Sequence, residues 1–294
     1  MKKSAISKST NAQTYHQPPT TNHELPLRSN GNNPIGVFDS GVGGLTVVAA
    51  LQRLLPHQNI IYVGDTARVP YGGKSPETIQ RYSKEIADLL ASKGAKLFVI
   101  ACNTSSALAA QHLKEIYSIP LQGVIEPGAA AAVEATRNGI IGVIGTKATI
   151  ASNAYRDAIH QVQSDVHVLS AACPLLVPLV EEGFFEDGIT DAVLHRYLEP
   201  LLAQGIDTLV LGCTHYPLLK KRIASIAGPH ITLVDSAENC ALAVRGLLSK
   251  NQLATQNKKS GQLQILLTDT SEGFLHLAAK ELALEIHNVT TISL

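Results

Sequence analysis

The sequence has no tryptophan, a single methionine and only 4% aromatic residues in 294. Because 45% of its residues are still hydrophobic, the core must be built mainly from aliphatic side chains. Lysine plus arginine and aspartate plus glutamate both number 24, so the chain has no net charge and no basic stripe for a nucleic acid. No stretch approaches the roughly 20 apolar residues of a membrane span. These absences predict a globular, cytoplasmic protein that binds neither nucleic acid nor membrane.

Motifs for metals, nucleotides and disulfides are missing as well. The four cysteines form no C-x-x-C pair and no H-E-x-x-H occurs, so we expect no zinc site. No G-x-x-x-x-G-K-S/T motif occurs, and the Gly-rich turn at 41–44 lacks the full G-x-G-x-x-G pattern, which argues against a nucleotide. Because cytoplasmic thiols stay reduced, no disulfide is expected between Cys102 and Cys213. We therefore expect no metal and no cofactor.

The first 33 residues are polar and rich in Ser, Thr, Asn and Gln. Lys2 and Lys3 begin the chain, but no apolar segment follows, so the pattern does not fit a secretory signal. A segment this poor in apolar residues cannot bury enough surface to order itself. We predict that residues 1–33 form a disordered tail that is dispensable for folding.

Short apolar runs alternate with helical patterns through the rest of the chain. Strands are predicted at 35–38, 60–63, 97–101, 121–125, 140–144, 166–169, 208–211, 231–234 and 263–267. Helices are predicted at 45–55, 76–92, 105–117, 129–137, 148–161, 189–203, 217–226 and 237–248. This alternation is typical of α/β proteins with mainly parallel sheets flanked by helices. A single TIM barrel is the competing architecture, but the two halves of the chain look alike and favour two similar domains.

Most of the predicted strands end in a polar or reactive residue. These residues are Asp39, Asp65, Cys102, Glu126, Thr146, Cys213, Asp235 and Asp269. In α/β folds, ligands bind beyond the carboxyl ends of the parallel strands. The pattern therefore predicts that the functional residues lie along one edge of the sheets.

Cys102 and Cys213 lie in matching contexts. Each ends a short apolar run and is followed by small polar residues, Asn-Thr in one case and Thr-His in the other. We interpret them as two acid/base groups that face one substrate from two halves of the fold. Cys173 and Cys240 lack this context and are interpreted as small buried hydrophobic residues.

Asp39 is followed by a turn that contains Gly41, Gly43 and Gly44. The backbone N–H groups of such a turn, together with a helix N-terminus, predict an anion-binding nest. A nucleotide phosphate, a substrate carboxylate and a plain tight turn all fit this pattern. Asp39 itself fits either a helix N-cap or a charged partner for an amine or a thiol.

Three further segments contain candidate site residues. Tyr71 and Gly72 are placed to offer a hydroxyl and a backbone donor to a carboxylate, while Asp65 and Arg68 nearby fit a local ion pair. Glu181 and Glu182 lie at a predicted helix end, where acidic residues do not suit the helix dipole, so either a functional role or a solvated pair explains them. His215, two residues after Cys213, is placed to tune that thiol.

Seven motifs occur along the chain in a characteristic order: FDSGVGGLT, GDTARVPYG, ACNTSSA, GVIEPG, CPLLVPLVEEG, LGCTHYPLL and VDSA. In order and spacing they resemble the bacterial glutamate racemases of the cofactor-independent aspartate/glutamate racemase family, over residues 34–294. The resemblance implies two similar α/β domains with the active site between them. The first would comprise residues 34–126 with 239–294, and the second residues 127–238.

The resemblance also implies roles for individual residues. Cys102 would remove the α-proton of D-glutamate and Cys213 that of L-glutamate, with Asp39 assisting the first, His215 the second, and Glu181 as a further acidic residue. Glutamate would be held by Asp39, Ser40, Tyr71, Gly72, Asn103, Thr104, Thr214 and His215.

The implied activity is the interconversion of L- and D-glutamate without a cofactor, which supplies D-glutamate for peptidoglycan, by a protein that is usually a homodimer. Two alternatives remain at this stage. One is a related Cys/Cys racemase for aspartate or another acidic substrate, and the other is a non-enzymatic binding protein on the same fold.

Overall fold

The computed structural model describes residues 31–270, 275, 279–287 and 289–294. The strands in this part of the chain are β1 Ile35–Asp39, β2 Ile60–Gly64, β3 Leu97–Ile100, β4 Leu121–Gly123, β5 Ile140–Gly145, β6 His167–Ala172, β7 Thr208–Gly212, β8 Thr232–Asp235, β9 Leu263–Leu267 and β10 Val289–Thr291. The helices are α1 Leu45–Leu54, α2 Pro76–Ser92, α3 Asn103–Leu108, α4 Ala110–Ile116, α5 Ile125–Ala135, α6 Lys147–Ala151, α7 Ala154–Val162, α8 Leu176–Glu181, α9 Gly188–Leu202, α10 Lys220–Ala227 and α11 Ser236–Lys250. Short 3-10 turns lie at Thr66–Arg68, Tyr71–Gly73 and Tyr216–Leu219.

The strands form two separate sheets. One has six strands in the order β10-β9-β2-β1-β3-β4, and the other has four in the order β6-β5-β7-β8. Every pairing is parallel, and helices connect the strands. The predicted α/β class with two parallel-sheet units is confirmed, and the competing TIM barrel is excluded because neither sheet closes. The domain boundaries given by the resemblance stay a prediction.

The two sheets share one aliphatic core. Strands β1, β3 and β7 are buried along their whole length, because helices or the other half of the chain cover both faces. Helix α11 follows β8 of the smaller sheet and packs against α1 of the larger one. Buried residues of both helices, such as Val48 and Val244, belong to the same cluster as Leu211 of β7. The core therefore fixes the two sheets against each other.

None of the described helices is long and apolar enough to span a bilayer.

Several predicted elements differ from the structure in their extent. The helix predicted at 105–117 is two helices, because Ala109 takes a non-helical conformation between them. The helix predicted at 148–161 is interrupted because Asn153 adopts a left-handed backbone, with φ of 57°. The helix predicted at 129–137 begins earlier, at Ile125, since β4 is only three residues long. Strand β10 has no apolar pattern and is not predicted.

Residues 31–33, the end of the predicted tail, are bonded to the rest of the fold, whereas residues 1–30 lie outside the described residues. The Lys96 side chain is fully buried, and its Nζ donates to the Gly31 carbonyl and to Gln58 Oε1 at 2.7 Å. Asn33 Nδ2 donates to the Gly94 carbonyl at 3.1 Å. Burial lowers the pKa of Lys96 to about 8. Because a buried ammonium needs hydrogen-bond acceptors, residues 31–33 stabilise the fold.

This contact predicts a sharp boundary for truncation. A chain that begins at Gly31 should melt at the same temperature as the full chain, whereas one that begins at Pro34 should melt roughly 4–8 °C lower. This estimate takes about 2 kcal/mol for a charged hydrogen bond and roughly 2–4 °C per kcal/mol. Calorimetry of the three chains measures the difference, and equal melting temperatures for the two truncated chains would contradict it.

Candidate active site

Cys102 and Cys213 line one cavity, as their matching sequence contexts predict. Cys102 lies two residues beyond β3 and caps the N-terminus of α3, while Cys213 directly follows β7. Both side chains are buried, with exposures of 4% and 5%, and all four cysteines are free thiols. The cavity has a volume of about 30 Å³ and lies at the carboxyl ends of strands from both sheets. Its lining residues are Ser40, Val69, Pro70, Tyr71, Gly72, Cys102, Asn103, Thr104, Thr146, Val177, Cys213, Thr214 and His215.

A larger cavity of about 340 Å³ adjoins this inner cavity on the side of α8. The two cavities share Pro70, Gly72, Thr146 and Val177 as wall residues. Gly72 and Thr146 follow strands of different sheets and touch closely, since a Cβ atom on Gly72 would lie 2.7 Å from the Thr146 Cβ. The two cavities therefore meet at this contact, and a side chain at position 72 would collide with Thr146.

The Cys102 thiol is arranged as a proton donor. Its sulfur accepts a hydrogen bond from the Ser105 N–H at 3.4 Å and donates one to Ser40 Oγ at 3.7 Å. Burial raises the pKa of this thiol to about 12, and the negative charge of Asp39 acts in the same direction. The hydrogen bonds with Ser105 and Ser40 offset only part of this rise. Cys102 therefore holds its proton at neutral pH.

The environment of Cys213 is the opposite one, because His215 lies beside it. Nδ1 of His215 is 3.9 Å from the Cys213 sulfur, and Nε2 is 3.1 Å from Glu181 Oε1. Burial alone would lower the pKa of His215, but the hydrogen bonds with Cys213 and Glu181 and the negative charges of Cys213 and Asp39 outweigh it and raise the pKa to about 10. The imidazole is therefore positively charged at neutral pH, and it places this charge 3.9 Å from the Cys213 sulfur.

Asp39 fills the anion-binding nest that the sequence predicts at the Gly-rich turn. Its Oδ2 accepts hydrogen bonds from the Gly44 N–H at 2.9 Å and the Gly41 N–H at 3.3 Å, and its Oδ1 accepts one from Thr214 Oγ1 at 3.5 Å. Burial raises the pKa of Asp39, while the His215 charge and the backbone hydrogen bonds lower it. The sequence leaves a phosphate, a substrate carboxylate and a plain tight turn open here, and in the structure the chain's own carboxylate occupies these two amides.

Tyr71 lines the inner cavity, but its hydroxyl is already bonded. It donates to Asp65 Oδ2, which also accepts from Arg68 Nε at 2.7 Å. Asp65 Oδ1 accepts from Thr268 Oγ1 at 2.9 Å, so the C-terminal part of the chain supports the same group. The ion pair between Asp65 and Arg68 is confirmed. The Tyr71 hydroxyl proton is therefore already used inside the protein.

Polar groups from α3 and α6 complete the cavity wall. Thr104 Oγ1 lies 3.0 Å from Thr146 Oγ1 and 3.2 Å from Thr149 Oγ1. Asn103 Oδ1 accepts a hydrogen bond from the Tyr155 hydroxyl at 2.7 Å. These bonds cross from residues that follow the larger sheet to residues that follow the smaller one. The wall between the two halves is therefore built from hydroxyl and amide groups that offer several donors.

Nearly all the residues that the sequence places at the site come together in the structure. Asp39 and Glu181 are the two that do not line the inner cavity: Asp39 lies behind Thr214, and Glu181 lines the outer cavity beside His215. Sequence reasoning missed Val69, Pro70 and Val177 of the cavity wall and Tyr155 behind it. The first three lie within the motifs GDTARVPYG and CPLLVPLVEEG, whereas Tyr155 has no local signal. Among the described residues, no three His, Cys, Asp or Glu side chains are grouped so as to hold a metal ion.

The profile of the Asp/Glu/Hydantoin racemase family matches residues 45–243. This match covers more than half of the chain and includes both cavity cysteines. The chain therefore belongs to the Asp/Glu/Hydantoin racemase family.

Within this family, the similar proteins are glutamate racemases. The glutamate racemase of Geobacter metallireducens is 48% identical over 260 residues, which are 88% of this chain and 96% of that protein. The structure of a glutamate racemase isoform from Bacillus anthracis superposes with a TM-score of 0.86 at 39% identity, over 90% of this chain and 99% of that one. The glutamate racemase of Francisella tularensis in complex with D-glutamate gives a TM-score of 0.84 at 39% identity, over 90% of this chain and 98% of that one.

The close fit of the Gly-rich turn against His215 predicts the effect of a single methyl group. A Cβ atom on Gly43 would lie 2.6 Å from the His215 ring, whereas one on Gly41 would meet only the Val69 side chain, at 3.6 Å. Gly43→Ala should therefore push the ring away from its partners and lower the pKa of His215 from about 10 toward its ordinary range.

An NMR titration of the His215 ring measures this pKa. Gly41→Ala is the matched control and should leave the titration unchanged. A pKa in Gly43→Ala equal to that of the unaltered protein would show that the turn does not hold the ring in place.

Proposed function

We propose that the chain interconverts L- and D-glutamate by a two-base mechanism in which Cys102 and Cys213 act on opposite faces of the α-carbon. The observation that carries this proposal is the pair of buried thiols on one cavity, each contributed by a different sheet. The similarity to glutamate racemases, one of them in complex with D-glutamate, supports glutamate as the substrate.

The reaction is a proton exchange at one carbon. With L-glutamate, the Cys213 thiolate takes the α-proton, and the electron pair of the C–H bond stays on the substrate, delocalised into the α-carboxylate. The Cys102 thiol then gives its proton to the other face, which yields D-glutamate with Cys213 as a thiol and Cys102 as a thiolate. The reverse reaction begins from that second form. No other group has to be oxidised, reduced or transferred.

The two cysteine environments favour one starting form. His215 supplies a positive charge next to Cys213, while burial and the Asp39 charge hold the proton on Cys102. This distribution matches the form that accepts L-glutamate. Glu181 takes part indirectly, because its carboxylate supports the charge on His215.

Ser40, Tyr71, Gly72, Asn103, Thr104 and Thr214 are the residues that we propose hold the two carboxylates and the ammonium group of the substrate. Hydroxyl, amide and backbone N–H donors suit carboxylates. The buried Asp39 carboxylate lies behind Thr214 and adds a negative charge that attracts the substrate ammonium group through this wall.

We further propose that the enzyme works as a homodimer in the cytoplasm, where it supplies D-glutamate for peptidoglycan synthesis. Of the two alternatives, a racemase for aspartate keeps the same chemistry and differs in the length of substrate that the cavity accepts. A binding protein would not need two thiols in contrasting electrostatic environments, and this contrast favours an enzyme.

The first test measures the reaction itself. Purified protein, dialysed and treated with a chelator and a carbonyl reagent, should still interconvert L- and D-glutamate and should act far more weakly on aspartate. Polarimetry with the four enantiomers reads this out. Activity that is lost in the treatment and restored by a metal or by pyridoxal phosphate would refute a cofactor-free mechanism. A higher activity on aspartate than on glutamate would show that aspartate, not glutamate, is the substrate.

The second test assigns the two faces. Replacing Cys102 or Cys213 with serine should lower racemisation by roughly 10²–10⁴-fold, because a serine hydroxyl is a far weaker acid than a thiol. The remaining thiolate can still remove its own proton. Cys213→Ser should therefore keep some exchange of the α-proton of D-glutamate into heavy water, and Cys102→Ser that of L-glutamate.

Mass spectrometry of the recovered glutamate measures this exchange, with Cys240→Ser as a control thiol outside the cavity. Substantial racemisation by either cavity variant would rule out two bases. Exchange from the opposite enantiomers would reverse the faces assigned to the two cysteines.

The third test uses the charge on His215. Its pKa of about 10 lies above the ordinary value of 6.5, so the imidazolium is present at neutral pH and is lost only as the pH rises through 10. Glu181→Gln removes a supporting negative charge and should lower this pKa. The alkaline limb of the pH profile of kcat/KM for L-glutamate should then move to lower pH.

Glu182→Gln provides the matched control, because Glu182 is the neighbouring residue and is exposed to solvent. Its profile should coincide with that of the unaltered enzyme. If Glu181→Gln also leaves the alkaline limb in place, the carboxylate does not support the charge on His215.

A further inference from the structure

The amide group of Asn103 is bonded on one side only. Its Oδ1 accepts the hydrogen bond from the Tyr155 hydroxyl, at 2.7 Å. Its Nδ2 is buried and has no hydrogen-bond partner among the described residues. Asn103 lines the same small cavity as the two thiols. Since an unpaired buried donor is costly, these N–H groups are placed to meet an acceptor that enters the cavity.

Tyr155 is fixed in the opposite half of the fold. It lies on α7 beside the smaller sheet and is only 2% exposed. Its ring packs closely on two glycine positions, because a Cβ atom would lie 3.1 Å from the ring at Gly212 and 3.3 Å from it at Gly128. Burial raises the pKa of Tyr155, although a hydrogen bond with Ser236 partly offsets the rise, so the phenol keeps the proton that it donates.

We propose that Tyr155 is a positioning residue of the reaction, whose hydroxyl holds the Asn103 amide with its NH₂ group toward the cavity, where it binds a carboxylate of the substrate. The inference rests on the proposed function. A primary amide can rotate by half a turn at little steric cost, and its two faces have opposite polarity. If Oδ1 faced the cavity, its partial negative charge would repel a carboxylate. The hydrogen bond from Tyr155 therefore turns the NH₂ group, with its partial positive charge, toward the substrate.

The position of Tyr155 also explains why the bond depends on the relative placement of the two halves. Asn103 begins α3, directly after Cys102, whereas Tyr155 lies on α7 and packs on Gly212, directly before Cys213. One hydrogen bond therefore connects the neighbours of the two thiols. The orientation of Asn103 is correct only when both halves are in place.

Kinetics of a double-mutant cycle test the inference. Tyr155→Phe keeps the ring and its packing, and it should raise the KM for both enantiomers by roughly 5- to 10-fold, the effect of about one hydrogen bond, with kcat changed by less than about twofold. Asn103→Ala should raise KM by roughly 10- to 100-fold, as expected for hydrogen bonds to a charged group. The double variant should be no worse than Asn103→Ala alone, because Tyr155 acts through Asn103.

Tyr117→Phe is the matched control, since it also removes a phenol that donates to an acceptor, Asp88 Oδ1 at 2.5 Å, but far from the cavity. Its kinetic constants should be those of the unaltered enzyme. The inference is overturned if KM is unchanged in Tyr155→Phe, or if the effects of Tyr155→Phe and Asn103→Ala multiply in the double variant, because Tyr155 would then act independently of the amide.

A measurement that does not depend on activity separates this inference from the proposed function. The side-chain NH₂ signals of Asn103, identified in ¹⁵N spectra by their loss in Asn103→Ala, should shift in Tyr155→Phe without any substrate. In the unaltered protein they should shift when D-glutamate is added. Signals that respond to neither change would overturn the role of Tyr155. A chain that shows the Tyr155 effect but does not racemise glutamate would refute the proposed function and leave the positioning of Asn103 standing.

Discussion

The buried carboxylate of Asp39 needs compensation, and much of the site is built around that need. The group has no exposed surface, and a charge in such a place is stable only with hydrogen bonds and an opposite charge. Two backbone N–H groups of the Gly-rich turn and the Thr214 hydroxyl supply the hydrogen bonds. The imidazolium of His215 supplies the charge. Thr214 and His215 directly follow Cys213. Their contacts with Asp39 therefore hold the Cys213 loop against the sheet that contains β1 and β3, which precedes Cys102.

The same network makes the two thiols different. Asp39 is negative and disfavours a thiolate at Cys102, whereas His215 places a positive charge beside the Cys213 sulfur. One pair of opposite charges therefore gives the two cysteines different electrostatic environments. In the two-base reaction that we propose, each turnover exchanges the protonation states of the two thiols. The site is thus electrostatically asymmetric although the overall chemistry is symmetric.

Sequence patterns predict the parts of this arrangement that depend on local structure. An apolar run that ends in a polar residue is a property of neighbouring residues, and it correctly placed Cys102, Cys213 and Thr146 at the ends of strands. The Gly-rich turn is also a local pattern, but a phosphate, a substrate carboxylate and a plain tight turn all fit it, and only the structure shows that Asp39 takes the amides. Helix ends were misplaced where single backbone conformations decide them, as at Asn153.

Contacts between distant segments have no signature in a single sequence. The bond between Tyr155 and Asn103 joins residues 52 positions apart, and that between Thr268 and Asp65 joins residues 203 apart. Each partner by itself looks like an ordinary core or surface residue. Their effects depend on how the two sheets pack, and that packing follows from the whole aliphatic core that α1 and α11 share. For this reason the two cavity cysteines are visible in the sequence, while the distant partners of the cavity residues are not.

The size of the inner cavity adds a final constraint. Its volume of about 30 Å³ is far below the roughly 300–1,000 Å³ that is typical of ligand pockets. The contact between Gly72 and Thr146 joins loops that follow strands of the two sheets, and both residues line the inner and the outer cavity. The hydrogen bonds of Thr104 with Thr146 and of Tyr155 with Asn103 also cross between the halves. The shape of the cavity therefore depends on the relative placement of the two sheets, and so on the aliphatic core that α1 and α11 share.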